Sequence, residues 1–144
     1  MAKQTKKSIH KKIGKQNKQR GSNFERQIAK ELRELGFSGC VTSRSESKSV
    51  DDNKVDIIDK NKELPFDMQI QTKKTSSTPS YFGIREQSTV DDETFVIIWS
   101  KTERRGEKMM TVGDCVMLPK SLFYKLIKNY ADSNSNIQRR EERD

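Results

Sequence analysis

The ten-residue segment PFDMQIQTKK, residues 65–74, constrains the fold more than any other stretch of the chain. Apolar residues at every second position from Phe66 to Ile70 alternate with polar ones, a period of two that predicts a half-buried β-strand. Gln71 and Lys73 share the polar face of this strand, where side chains two positions apart lie about 6.5–7 Å from one another. An amide oxygen and an ammonium group at one strand end suit phosphate chemistry.

A second short apolar run, KVDIID at residues 54–59, precedes this strand, and the polar residues 60–63 between them favour a hairpin turn. Asp56 lies within the predicted strand. Burial of a carboxylate is costly unless a cation or hydrogen-bond donors compensate it. We therefore expect Asp56 to have a partner, which Gln71, Lys73 or a metal ion could supply.

The first twenty residues carry eight Lys and Arg side chains and no acid, which equals the formal net charge of +8 for the whole chain. Residues 1–20 are therefore predicted to be a basic flexible arm, disordered in isolation and able to lie along a nucleic-acid backbone. A solubilising tail or a targeting signal is the alternative interpretation. The arm residues that we predict to contact the nucleic acid are Lys11, Lys12, Lys15, Lys18 and Arg20.

Several classes of protein are excluded by what the chain lacks. Cys40 and Cys115 are far apart and have no CxxC spacing, so neither a disulfide framework nor a zinc site is indicated and a reducing cytoplasm is expected. His10, the single histidine, lies in the basic arm, which argues against Ser-His-Asp, Cys-His and His-metal chemistry. No apolar run approaches the roughly 20 residues of a membrane span. Any catalysis must use carboxylates, amides and lysine.

The remaining pattern predicts one α/β domain. A helix begins at Ser22 or Asn23, ends near Gly36 and has Glu25 in its first turn, where a carboxylate gains from the helix dipole. Further elements are predicted as a strand at 39–44, a polar loop at 45–53, a short helix at 81–85, a buried strand at 94–100, an edge strand at 109–118 and a helix at 119–131. The order predicts a mixed central β-sheet flanked by helices.

Glu25 in the opening helix, Asp56 in a strand and Gln71-x-Lys73 at the end of the next strand resemble the motifs of the PD-(D/E)xK nuclease superfamily, in that order. Within it, the segments GSNFERQIAKELRELGF, VTSRS, KVDII and MQIQTKK resemble the archaeal-type Holliday junction resolvases. Val55 stands where the motif name has proline, and Gln71 stands where most members have an acid. A QxK ending is usual in Mrr-type restriction nucleases.

The resemblance implies a restriction-endonuclease-like core, with a nuclease domain at residues 21–131 between the arm and a polar C-terminal tail at 132–144. It also implies a Mg²⁺ site, at which Mn²⁺ would substitute, and a catalytic lysine. The implied catalytic residues are Glu25, Asp56, Gln71 and Lys73, and the metal ligands are Glu25, Asp56, Gln71 and the main-chain carbonyl of Thr72. Further DNA contacts are expected from Ser43, Arg44, Ser45 and Lys74, although ordinary loop polarity explains the first three equally well.

The implied function is a Mg²⁺-dependent, structure-selective DNA endonuclease that resolves Holliday junctions as a homodimer. We expect it in the cytoplasm of a bacterial or archaeal cell, where a phage or a mobile element could encode it. Two other functions stay open: a restriction-like or repair endonuclease on duplex DNA, and a DNA-binding protein with a nuclease fold that does not cut. A dimer interface around Phe95, Trp99, Leu122 and Phe123 is one interpretation of that apolar set, and core packing is the other.

Overall fold

The computed structural model describes residues 6–45, 55–88 and 90–143, so most of the polar loop predicted at 45–53 lies outside it. Within these ranges, three α-helices, two short 3₁₀ turns and five strands follow one another. In chain order they are α1 (Lys6–Glu34), β1 (Cys40–Thr42), a 3₁₀ turn (Ser43–Ser45), β2 (Ile57–Asp59), a second 3₁₀ turn (Pro65–Asp67), β3 (Gln69–Thr75), α2 (Tyr81–Glu86), β4 (Phe95–Arg105), β5 (Lys108–Met117) and α3 (Lys120–Arg143).

The five strands form one sheet in the order β1-β2-β3-β4-β5. β3 and β4 are parallel, and all other neighbours are antiparallel. The parallel pair is connected through α2, as a crossover between parallel strands requires. The predicted mixed sheet with flanking helices is confirmed, and it is consistent with a restriction-endonuclease-like core.

Apolar side chains cover both faces of β3 and β4. On one face, Phe24 and Ile28 of α1 pack with Ile70, Val96 and Leu122. On the other, a smaller cluster of Phe95, Ile97 and Trp99 packs against Tyr81 and Ile84 of α2. Because side chains alternate along a strand and Ile70 faces α1, Thr72 and Lys74 share its face, whereas Gln71 and Lys73 lie on the α2 face.

The first helix is longer than predicted. It begins at Lys6, so the predicted start at Ser22 or Asn23 is wrong, and Glu25 lies well inside the helix instead of in its first turn. Residues 6–20 have no proline and are rich in Lys and Gln, both good helix formers, and Gly21 weakens an exposed helix by only about 1 kcal/mol. The predicted end is confirmed by Gly36, whose φ of 109° suits glycine best.

The last helix also passes its predicted end at residue 131 and continues to Arg143. No glycine or proline interrupts residues 132–143, and their arginines and glutamates favour a helix. From Ile127 onwards every described residue of α3 is exposed. The division of the chain into an arm, a nuclease domain and a tail remains a prediction.

Three strands are shorter than predicted. β1 spans only Cys40–Thr42, because residues 43–45 of the predicted strand and loop form a 3₁₀ turn. β3 begins only at Gln69, because Phe66 and Asp67 have φ near 55° in the preceding 3₁₀ turn, and Phe66 is 40% exposed. β2 begins at Ile57, so Asp56 lies immediately before the strand and not inside it. Asp59 stabilises the connection between β2 and β3, because its Oδ2 accepts a hydrogen bond from the Leu64 N–H at 2.8 Å.

Among the helices in the described ranges, none combines the length and the apolar character that crossing a membrane would require.

Candidate active site and nucleic-acid surface

Asp56 is held at the point where β2 and β3 separate. Its main-chain N–H donates to the Ile70 carbonyl at 2.9 Å, and its carbonyl accepts from the Ser43 N–H at 2.8 Å. Its carboxylate Oδ2 accepts from the Thr72 N–H at 2.8 Å and from the Thr72 hydroxyl at 3.3 Å. Thr72 therefore supplies two hydrogen-bond donors that offset the cost of burying this carboxylate. The sequence had not indicated Thr72 as the partner of Asp56.

The sheet opens next to Asp56. Between β2 and β3 the only residue pair in the described ranges is Ile57 with Ile70. Beyond Ile70, the β2 side of β3 is met by the Asp56 side chain instead of by strand backbone. The Asp56 carboxylate thus meets the main chain of the Gln71-Thr72-Lys73 segment, where Gln71 and Thr72 are 5% and 7% exposed.

Glu25 is paired with Arg44 across the gap between α1 and the first 3₁₀ turn. Arg44 Nε lies 3.1 Å from Glu25 Oε2, and Nη2 donates to Oε1 at 3.3 Å. The Glu25 side chain is 7% exposed and that of Arg44 is 43% exposed. A nearly buried carboxylate in an apolar helix face requires such compensation, and the two-point geometry is the one that guanidinium groups favour.

Gln71 is 5% exposed and lies on the β3 face opposite α1. Its side-chain Oε1 is buried and has no hydrogen-bond partner among the described residues. An unpaired buried acceptor costs about 1–3 kcal/mol. The orphaned oxygen belongs to the residue before Thr72, on which the Asp56 carboxylate is anchored, and its chemistry fits a cation that prefers oxygen ligands.

A series of hydrogen bonds and one ion pair links the predicted site residues to one another. Arg44 binds Glu25, its neighbour Ser43 binds Asp56, and Asp56 binds Thr72. Gln71 and Lys73 flank Thr72 on the strand, and Lys73 is half-buried. Within the described residues, no three His, Cys, Asp or Glu side chains are grouped to hold a metal, so a metal here would need amide or main-chain oxygens as well.

The predicted DNA contacts of the first 3₁₀ turn differ in accessibility. Ser43 is fully buried, which argues against the predicted phosphate contact by its side chain. Ser45 is exposed, and its hydroxyl donates to the Thr42 carbonyl at 2.7 Å. Arg44 keeps an exposed part while it binds Glu25.

The other predicted DNA contacts lie on α1 and at the end of β3. Lys11, Lys12, Lys15 and Lys18 are exposed on the N-terminal half of α1, and Arg20 and Lys74 are half-buried. Lys74 Nζ lies 5.8 Å from the centroid of the Phe24 ring, which places it beside α1. A basic helix surface therefore continues into the sheet.

Cys40 does not have the features of a nucleophile. Burial, and to a smaller extent the Asp59 carboxylate, raises the pKa of the Cys40 thiol, which keeps it protonated. Cys115 is exposed on the edge strand β5. The expectation that catalysis uses carboxylates, an amide and a lysine is consistent with this arrangement.

A family model described as archaeal Holliday junction resolvase (Hjc) matches residues 16–106, more than half of the chain. The match includes Glu25, Asp56, Gln71 and Lys73, and it confirms the resemblance found in the sequence. No curated protein and no solved structure showed significant similarity.

Proposed function

Because the chain belongs to the archaeal Holliday junction resolvase family, we propose that it is a Mg²⁺-dependent endonuclease that cuts Holliday junctions. The family match supports a nuclease that acts on DNA. The observation that carries the proposal is the hydrogen bond from the Thr72 N–H to Asp56 Oδ2, because it fixes a carboxylate against the Gln71-Thr72-Lys73 segment.

We assign the metal ligands to Asp56, Glu25, the Gln71 Oε1 and the Thr72 carbonyl. The Ile70 carbonyl accepts from the Asp56 N–H, and carbonyls two residues apart on a strand point to the same side. The Thr72 carbonyl is therefore directed towards Asp56. These are the oxygen ligands that Mg²⁺ and Mn²⁺ accept, with water and a substrate phosphate completing the shell.

A bound Mg²⁺ supplies Lewis-acid polarisation of the phosphate and a lower pKa for a bound water. Lys73 orients the attacking water and stabilises negative charge on the phosphate. Glu25 would help to hold the metal once released by Arg44, whose guanidinium would then be free to bind a DNA phosphate. Arg44 thus keeps the buried Glu25 carboxylate compensated until the substrate and the metal arrive.

Because of Gln71, this site has less negative charge than the corresponding site of relatives that have an acid at this position. Asp56 and Glu25 contribute two formal charges, and Gln71 contributes only a carbonyl dipole. We propose that the site binds Mg²⁺ more weakly for this reason and remains active, because the Gln71 Oε1 is buried and available as a ligand.

We propose that the enzyme works as a homodimer, because a four-way junction has two strands to cut and each chain has one site. Phe95, Trp99 and Leu122 are core residues, at 0%, 9% and 1% exposure, whereas Phe123 is 50% exposed. The other large apolar residues exposed on α3 that follow Phe123 at helical spacing are Ile127, Tyr130 and Ile137. This α3 stripe is where we place the contact with a second copy.

The decisive experiment is cleavage of labelled four-way junction, flap, duplex and single-stranded DNA, with Mg²⁺ and with EDTA, and with Asp56→Asn as the control. Paired symmetric nicks in the junction alone would establish the proposal. Cutting of plain duplex would favour a restriction-like or repair nuclease. Tight binding without cutting under Mg²⁺ or Mn²⁺ would favour a DNA-binding protein on a nuclease fold.

A further inference from the structure

A cleft of about 390 Å³ lies between α1 and the C-terminal end of β3. Asn17 and Arg20 line it from α1, and Lys74, Ser76 and Ser77 line it from the strand end. Sequence reasoning placed Arg20 in the arm and Lys74 beside the active site, with no indication that they meet. The tertiary structure brings both cations into one concave surface.

The two cations have only neutral partners in the described part of the chain. Arg20 Nη1 donates to Asn17 Oδ1 at 3.3 Å, and Lys74 Nζ lies above the Phe24 ring. Neither forms an ion pair with a described carboxylate. Two half-buried cations in a shared cleft repel each other, so a bound anion would stabilise both.

Hydroxyl groups complete the lining of the cleft. Ser76 and Ser77 are exposed, and no hydrogen bond joins their hydroxyls to any described residue. Their backbone is anchored: the Ser76 carbonyl accepts from Lys101 Nζ at 3.3 Å, and the Ser77 carbonyl accepts from the Thr75 hydroxyl at 2.8 Å. Serine hydroxyls on a fixed segment, together with Arg and Lys, match the groups that bind DNA phosphates.

We propose that this cleft binds a backbone phosphate of the cut DNA strand, next to the phosphate that is hydrolysed. The assignment rests on the proposed nuclease function and adds a second anchor on the substrate. Lys74 directly follows Lys73 and projects from the opposite face of β3. A strand that passes around the end of β3 would therefore meet Lys73 at the scissile phosphate and the cleft at a neighbouring one.

The test measures binding of a four-way junction by the full chain carrying Asp56→Asn, in EDTA, as a function of salt. In this background, Arg20→Gln with Lys74→Gln is compared with Lys120→Gln with Lys128→Gln, which removes the same charge from α3. Each phosphate contact contributes about 0.7–0.9 to the slope of log K against log salt. We expect the cleft variant to lower the slope by about 0.7–0.9, the contribution of one phosphate contact, and the α3 variant to leave it unchanged.

The bound phosphate is then located by replacing single phosphates of the junction with neutral methylphosphonates. One position within about two nucleotides of the cut should weaken binding by the parent protein and have no further effect on the cleft variant, because both changes remove one contact. Retention of the salt slope by Lys74→Arg would show that charge, and not folding, is responsible.

A slope equal to that of the α3 control, or no coupled phosphate near the cut, would overturn the cleft assignment while leaving the nuclease proposal intact. Wild-type protein that neither binds nor cuts a junction would overturn the proposed function and the cleft assignment with it.

Discussion

The carboxylate of Asp56 lies 2.8 Å from the main-chain nitrogen of Thr72, the residue between Gln71 and Lys73. A side chain thus occupies the position where β2 would otherwise continue to pair with β3. The hydrogen bond has two consequences: it compensates a half-buried acid, and it sets the distance from that acid to the QxK segment.

Asp56→Asn and Lys73→Ala should each abolish junction cutting and leave junction binding, because α1 and the sheet surface supply phosphate contacts independently. The amide oxygen introduced by Asp56→Asn can still accept the Thr72 N–H, so the free energy of unfolding should change little, whereas Asp56→Ala should lose about 1–3 kcal/mol. Cleavage assays, equilibrium binding and denaturant unfolding measure these effects. Loss of binding in both variants would contradict the separation of binding from cutting.

Gln71→Glu should strengthen Mg²⁺ binding, because a third carboxylate replaces a neutral amide. We expect half-maximal cutting at a lower Mg²⁺ concentration and a larger rise in Tm between EDTA and Mg²⁺. In EDTA the variant should be less stable than wild type, because a buried site then holds an additional charge. Gln69→Glu, on the same strand but outside the proposed ligand set, is the control. An unchanged Mg²⁺ dependence would show that residue 71 is not a ligand.

Arg44→Ala should lower the free energy of unfolding by about 1–2 kcal/mol, because it removes the guanidinium that is paired with the nearly buried Glu25. The loss stays in this range because Arg44 itself is partly solvated, which weakens the ion pair. Arg44→Lys should recover only part of this loss, since an ammonium group cannot form the two-point contact. Arg26→Ala, which removes an exposed arginine from the same helix as Glu25, should change the free energy of unfolding by less than about 0.5 kcal/mol. Equal effects of Arg44→Ala and Arg26→Ala would refute a stabilising role.

Removal of residues 1–20 should weaken junction binding and flatten its salt dependence, because the deleted segment carries eight cations. Binding isotherms at several salt concentrations test this, with circular dichroism confirming that the shortened chain folds. If the slope stays the same, the basic segment does not contact DNA.

Replacing Phe123, Ile127 and Tyr130 together by serine should convert a dimer to a monomer, because these exposed residues form the proposed α3 contact. Light scattering after size-exclusion chromatography reports the mass. Val112→Ser on the β5 edge is a control that also removes an exposed apolar residue. A wild-type monomer at all concentrations, or a triple variant that remains dimeric, would refute the interface.

Much of the fold was predicted from patterns of residues that are close together in the sequence. The β3 strand from Gln69, the helical face of Phe24 and Ile28 and the helix end near Gly36 depend on residues close in sequence, so local periodicity identified them. The order Glu25, Asp56, Gln71, Lys73 predicted the family, which the family model confirms, and the roles of these residues stay a prediction. The predicted start of α1 and the predicted end of α3 were wrong for a physical reason. Helix formers on a solvated surface give no apolar periodicity, so the pattern could not show that α1 and α3 continue.

The sequence by itself determined the fold class, the family and the chemistry available to the site: two carboxylates, an amide and a lysine. Only the tertiary structure decided which groups meet. It paired Arg44 with Glu25, placed Thr72 as the donor to Asp56, buried Ser43 and left the Gln71 Oε1 without a partner in the described chain. It also brought Arg20 and Lys74, which are 54 positions apart, into the lining of one cleft. Such contacts depend on how a helix and a twisted sheet pack, and sequence spacing does not encode that geometry.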